Sequence, residues 1–598
     1  MIAKLRRVLT NPRELTDRLG QEARNLWLYA APPSPRIGPR PPAPALPDPD
    51  SLRRRHAGTP LAAAISGIAA EVRAHRFPLL GITLATGPRI HWRRDYLTGR
   101  ETGLAYLRRI PYLDVERAGD HKLIWELNRH QHLVLLAQDA LLNGNSESLA
   151  ECAAQLTSWL DENPFHSGMN WTSALEVAFR ALSWCWVWHL VGPSLPTPLR
   201  QSFWTALYRH GLHLETNLSH YFAPNTHLLG EAVALHALGL LFPEWPESER
   251  WRRTGHRVVD AQLHRQVQAD GSHFEHSSYY HVYALDMFLF HAHLAGIPDE
   301  WRPVLSRMAI YLDTLLGPAR RLPFLGDDDG GRFFHPYGEH DAHGRATLAT
   351  AALLTGIHDR WGWSSQDWPE QAGWWLSALP AAGGYPFLPG DRVFAASGLV
   401  ARSTARAQIL FDAGTFGWGQ AGHSHSDALS LVVNADGQEV LIDPGTYTYV
   451  GDPARRQFYR GSAAHNTVRL NGADQALSAG PFAWAGRPEV TLVHHSAEKW
   501  EAHCRYNGFT HTRIIHFSAP GRITVEDSVS GPDGEQEIEL YWHLGPNGEA
   551  RLTLPAGTEA VDGWRSTALG RQEPAPVRRL RYRGRLPWRE TWGIQLDP

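Results

Sequence analysis

Residues 419–452 read GQAGHSHSDALSLVVNADGQEVLIDPGTYTYVGD, and the texture of this stretch decides the second half of the fold. Two β-branched, apolar runs, Leu429–Val433 and Glu439–Asp443, flank NADG, a dipeptide-turn signal for a two-residue hairpin. Alternating runs of the same kind continue on both sides: GLVARSTARAQILFDAG before it, HNTVRL and RITVEDSVSG after it. Many short strands at short spacing read as an antiparallel sandwich or barrel from about Gly383 onward. Upstream the periodicity changes. Between about Leu61 and Leu379, apolar residues recur every three or four positions, as in Trp171–Val191, Thr226–Phe242 and Tyr280–Ala295. Turn signals such as VGPSLPTP and LFPEWPE separate these helices, and no strand-like segment is evident between them. Successive aromatic-rich helices of similar length suggest helix pairs in a toroid or solenoid. A cleft between the two halves is then the natural place for a ligand.

The opening stretch also carries chemistry. His423 and His425 are two apart and would share one face of a strand. The hairpin would return Asp443 to the neighbourhood of Ala428–Ser430, and His465 follows a further loop. Two imidazoles and a carboxylate with one open position suit zinc. The competing reading is a polar cross-strand cluster in which Asp443 anchors the turn before Pro444.

Three other segments concentrate polar groups. In PNTHLLGEAVALHALG, Asn225 and His227 stand at the mouth of a helix, with Glu231 one turn beyond. A helix N-terminus favours an anion; equally, Asn225 is an ordinary N-cap and the other two a surface pair. DGSHFEHSSYYHVYALD places Tyr279, Tyr280, His281 and Tyr283 on one helix, offering a proton donor and acceptor close together or a packed aromatic face. A tyrosine acting as base would need nearby positive charge to lower its pKa from roughly 10. GDDDGGRFF, with Asp327, Asp328 and Asp329, reads as a cation loop or, more ordinarily, a solvated one.

A net charge of −3 over 598 residues argues against a nucleic-acid binder, while leaving room for a locally basic cleft. Basic charge is almost wholly arginine, with Lys4, Lys122 and Lys499 the exceptions; guanidinium suits carboxylate and sulfate. Cys152, Cys185 and Cys504 form no CxxC pair and read as small buried hydrophobes. Met1–Ala30 is charged and amphipathic, with Arg6, Arg7, Arg13 and Arg18 along it, and Pro32–Asp50 is a proline-rich linker or surface strap. No apolar signal segment and no run long enough to span a membrane is visible, so the chain as given reads as cytoplasmic. The expected division is 1–50 for helix and linker, 51–382 for the helical domain and 383–598 for the β domain.

NWTSALEVAFRALSW (170–184), PNTHLLGEA, DGSHFEHSSYYH, GDDDGGR and GHSHSDALS…LIDPGTYTY…AAHNTV together resemble the heparinase II/III family of polysaccharide lyases, whose relatives include oligoalginate lyases. The resemblance runs from Asn170 to Thr467. It implies a multidomain α+β fold, an incomplete (α/α) toroid followed by an antiparallel β-sandwich. It implies cleavage of an anionic, uronate-containing polysaccharide by β-elimination: the C5 proton is removed, O4 leaves, and a C4=C5 double bond forms. By the same resemblance Asn225, His227, Tyr280, His423 and a tyrosine, Tyr447 or Tyr449 with Tyr449 preferred, are catalytic. Trp171, Glu231 and His281 would contact substrate, and His425, Asp443 and His465 would hold a structural Zn2+. Thr226 stands where the family often has Asn directly before the His, which weakens the match at Asn225. Family members usually work in the periplasm or outside the cell, and a homodimer is among the assemblies the resemblance allows. Two other classes remain: a hydrolase on a similar toroid, needing paired carboxylates from Glu231, Glu275 or Asp327–Asp329, and a non-catalytic exopolysaccharide-binding protein.

Overall fold

The computed structural model describes residues 11–334, 337–519 and 521–597, so Arg6 and Arg7 of the expected leading helix lie outside the described residues. The helical half is built from antiparallel pairs. Gln131–Asn143 turns back as Ser146–Glu162, Ala174–Val191 as Thr197–Asn217, Thr226–Leu241 as Ser248–Gln266, and Ser278–Ala295 as Trp301–Leu316. The first member of each pair, with His340–Thr355, packs against its counterparts to make an inner ring. Burial follows from this placement. Ser278–Ala292 is buried all round, whereas Ser248–Gln266 buries one stripe and turns its arginines outward.

Two features depart from a purely helical reading of this half. Arg76–Leu79 and Ile82–Ala85 form a hairpin, and its tip docks on the β half through the Gly81 N–H to the Leu569 carbonyl at 2.9 Å. The segment before the toroid is no free linker. The Trp204 and Trp188 indoles donate to the carbonyls of Ile37 and Arg40, and Ala43 donates to Leu241, so Pro32–Asp50 is a strap over the helices. The helix Pro12–Ala30 docks on Thr197–Asn217 through reciprocal amide bonds between Asn25 and Asn217 at 2.8 and 2.9 Å.

In the β half, a five-stranded antiparallel sheet runs in chain order from Gly390–Phe394 to Gln438–Leu441. The NADG turn joins Leu431–Ala435 to Gln438–Leu441, with Asp436 and Gly437 both at positive φ, as a tight hairpin requires. A six-stranded sheet faces a four-stranded one. Trp500, Ile515 and Val525 from the first share an apolar core with Ile538, Leu540 and Trp542 from the second. The arginine-rich tail supplies Val577–Arg585 to one sheet and Trp588–Gln595 to the other. The five-stranded sheet also sends Phe394, Leu399 and Leu410 into the helical core, which fixes the two halves against each other. All three cysteines are buried and unpaired.

Candidate active site

Inner helices begin where the toroid meets the β half. Asn225 caps Thr226–Leu241, its side-chain oxygen accepting the His227 N–H at 3.2 Å. Ser277 caps Ser278–Ala295, accepting the Tyr280 N–H at 3.1 Å. These caps place His227 and Tyr280 in first turns with their side chains at the junction. The β half contributes His423 and Tyr449. The Tyr280 ring stacks on His423 with centroids 3.8 Å apart, and its phenol lies 3.1 Å from the Tyr449 hydroxyl. Tyr447 instead faces Tyr459, so Tyr449 is the tyrosine that reaches Tyr280.

Carboxylates organise the cluster. Asp327, fully buried, takes both nitrogens of the Arg456 fork, His423 Nδ1 at 3.0 Å and His425 Nε2 at 3.0 Å. Burial alone would raise its pKa; the guanidinium and the two imidazole bonds hold it well below the usual range. Gly326 permits the approach: at φ +66 its absent Cβ would lie 2.7 Å from the His423 carbonyl oxygen. Burial would also lower the His423 pKa, but Asp327 and Glu275 hold it above the ordinary value. Glu275 accepts from Asn225 Nδ2 at 2.6 Å and Thr226 Oγ1 at 3.1 Å, and sits 3.7 Å from His423 Nε2. Asp329 accepts from the Tyr280 phenol at 3.2 Å and pairs with Lys122 at 3.1 Å. The DDD segment is therefore not a solvated loop.

The proton inventory follows from these neighbours. Burial first, then Asp329 and Tyr449, push the Tyr280 phenol well above 10, so it holds its proton. Arg456 opposes this, but burial and the neighbouring Asp329 outweigh it, so the phenol is not poised as a resting base. Burial pushes the His227 imidazole down to about 4, with Glu176 opposing and His423 assisting; it is neutral at pH 7.

A second cluster adjoins the first. His425, Asp427, Asp443 and His465 bring ligand atoms within 4.8 Å of one another, all buried. His425 Nδ1 and His465 Nε2 are buried without a hydrogen-bond partner, and two imidazole nitrogens beside two carboxylates are a donor set that fits a divalent cation. His465 Nδ1 bonds Asp443 at 3.0 Å, fixing the ring. The local geometry differs from the strand expected for His423 and His425. Residues 421–430 are irregular, with Ala421 and Leu429 at positive φ, and strand structure starts at Leu431. The two imidazoles nonetheless meet on Asp327.

Three expected contacts fall elsewhere. Trp171 is core, wedged among Phe165, His210 and Arg180. His281, one position along the helix from Tyr280, turns inward to the Met308 carbonyl at 2.9 Å. Glu231 is fully buried and holds the Ser219 N–H and hydroxyl, both at 2.7 Å. Sequence reasoning overlooked Asp427, Arg456, Lys122 and the buried role of Asp327. Asp427 continues the spacing of His423 and His425, a legible signal; Arg456 sits on the isolated helix Pro453–Arg460, where nothing local marks it.

Models of the heparinase II/III N-terminus and of the heparinase II/III-like C-terminal region match residues 68–330 and 388–580. The chain belongs to the heparinase II/III family. Among curated relatives of this family, a heparin-sulfate lyase of Bacteroides stercoris is 22% identical over 473 residues, covering 72% of this chain and 65% of the relative. One from Pedobacter heparinus is 25% identical over 449 residues, covering 71% and 62%. The match thus spans somewhat under two thirds of these relatives' length. A crystal structure of heparinase III superposes with a TM-score of 0.67 at 16% identity, covering 89% of this chain and 85% of that one. A heparan sulfate lyase from Pedobacter heparinus gives 0.54 at 18% identity, covering 92% and 86%. These likenesses support the fold, a helical toroid followed by an antiparallel sandwich. No helix among the described residues is long and apolar enough to cross a membrane.

Proposed function

We propose that this protein is a polysaccharide lyase that cleaves uronic-acid-containing chains by β-elimination. The observation that carries the reading is Tyr280, its ring stacked on His423 and its phenol bonded to Tyr449, with Glu275, 3.7 Å from His423, holding the Asn225 amide. The C5 proton of a uronate is weakly acidic because its removal leaves a dianion, so donors must meet the carboxylate as charge develops. This role is assigned to His423 Nε2 and to the Asn225 amide, which would turn from Glu275 to the substrate. Neutral His227 takes the C5 proton; the electron pair forms C4=C5 and expels O4, and Tyr280 delivers its proton to the leaving oxygen. The resulting phenolate keeps the Tyr449 hydroxyl as partner, and proton exchange with water resets both groups. A hydrolase fits less well: Glu275, Asp327 and Asp329 are each committed to protein donors, and Glu231 points away.

His425, Asp427, Asp443 and His465 would hold Zn2+, which as a structural ion would tie the loop of His423 to the strand ends carrying Asp443 and His465. The substrate class is that of the family, heparan-type or related uronate polymers.

Tyr280→Phe tests the reading. Turnover should fall by about 10²–10⁴-fold, the range for a lost general acid, while chain binding persists. The measurement is ultraviolet absorbance of unsaturated product across a panel of uronate polymers. Full activity in the variant, or new reducing ends without the chromophore from the wild type, would reject the elimination.

A further inference from the structure

The helix Pro12–Ala30 is mounted on a mixed face, with Leu28 as its one buried apolar residue. Glu14, Asn25 and Leu28 are its buried residues, and it is fastened by Asn25 and Gln21 to Asn217 and Thr216. The opposite face, carrying Leu15, Leu19, Ala23, Leu26 and Trp27, lies on one side of the cylinder by the 3.6-residue repeat. Leu19, Leu26 and Trp27 are 64%, 49% and 56% exposed. A surface helix of a globular protein ordinarily does the reverse. No charged side chain interrupts the middle of this stripe; Glu22, at its edge, is engaged by the Tyr106 hydroxyl and Arg108. Tyr29, 41% exposed, flanks it on the side opposite Trp27.

We infer that this face is an in-plane docking surface for an anionic phospholipid membrane. Charge selects this occupant. The first ten residues of the sequence, MIAKLRRVLT, contribute Lys4, Arg6 and Arg7 and no acidic group, and Arg13 follows at the helix start. An apolar stripe with aromatic rings at its margins, preceded in sequence by basic residues, has the composition of a helix lying at the headgroup boundary. A second copy of this chain would instead need a face suited to interlocking, and the small residues Gly20 and Ala23 leave that stripe uneven. The docking would hold this fold at a membrane surface through the helix Pro12–Ala30, whichever polymer it cuts.

The test is co-sedimentation of the full chain with vesicles of phosphatidylcholine alone or with 30% phosphatidylglycerol, about a third anionic lipid as a model surface. The wild type should partition at least about tenfold more onto the anionic vesicles, and lose most of that in high salt. The double variant Leu19→Glu, Leu26→Glu should lose about tenfold or more of the partition with unchanged cleavage of soluble polymer. Should that variant fold poorly, Lys4→Gln, Arg6→Gln, Arg7→Gln reads the electrostatic part alone, about fivefold for each basic residue near the surface. Absence of wild-type binding, or binding unchanged in the variants, overturns the inference. So does a dimer in sedimentation velocity that the leucine variant dissolves while vesicles never bind.

Discussion

Two buried aspartates, Asp327 and Asp527, hold the same kinds of partner and serve different ends. Asp527, inside the sandwich, takes Arg513 through both oxygens, His511 at 2.7 Å and the Trp592 indole at 2.9 Å. Arg513 spends its remaining nitrogen on the carbonyls of Leu429 and Asn466, so the group is a staple between sheet and loop. Asp327, at the junction of the two halves, takes Arg456, His423 and His425. Each of its imidazoles keeps the second nitrogen for something else: His423 Nε2 faces Glu275, and His425 Nδ1 faces the carboxylates of Asp427 and Asp443. His511 Nδ1 also lacks a partner, yet no cluster of ligand groups among the described residues includes it. Burial and an arginine make a carboxylate permanently ionised; what lies beyond its histidines decides whether it is structural or functional.

The largest expected effect separates the two. Asp327→Asn and Asp527→Asn should each cost about 3–5 kcal/mol of stability, because each leaves a buried arginine without its counter-charge. Only Asp327→Asn should also cut turnover per folded molecule, by about 10²-fold or more, since His423 loses the acceptor that fixes its ring. Melting curves and steady-state kinetics on the folded fraction check both. Equal loss of turnover in the two variants would erase the distinction.

A smaller effect probes the metal side. Purified protein should carry about one zinc per chain at a four-ligand site, and His465→Ala should abolish it, leaving Asp443 without its imidazole. Metal analysis and a lowered melting temperature after chelation are the readouts. A wild type that carries no metal and melts identically with and without chelator would reduce the cluster to a polar knot.

How much of this arrangement was legible in the chain depended on how local its cause was. The NADG hairpin and the inner helices are written in adjacent residues, and their observed bounds fall within a few positions of the sequence reading. The zinc-like set was legible because His425, Asp443 and His465 flank a hairpin whose register the turn fixes. Asp327 was not: its burial is created by Arg456, 129 residues away, and by a glycine at positive φ. Trp171, His281 and Glu231 were misplaced for the opposite reason. His281 stands beside Tyr280 in sequence, but a helix turns neighbours by 100°; Glu231 and Trp171 are enclosed because the ring buries both sides of its inner helices and the turns packed on them.

Glu231 sharpens the comparison from the other side, as a buried carboxyl whose donors, the Ser219 N–H and hydroxyl, are neutral. Burial pushes its pKa up to about 8, with the Ser219 bonds opposing. The folded chain therefore keeps this proton between roughly pH 4.5 and 8, where the unfolded chain has lost it. Stability should fall as pH rises through that window, the opposite of a carboxylate paired with arginine. Glu231→Gln preserves an acceptor for Ser219 and cannot ionise. It should leave stability near pH 4 little changed and raise it at pH 8, by an amount on the order of a few kcal/mol. Denaturant melts of both proteins at the two pH values measure the difference. A variant that gains nothing at high pH would mean that Ser219 and the loop behind it solvate the charged form, and that burial without a cation is less costly here than the contrast with Asp327 and Asp527 implies.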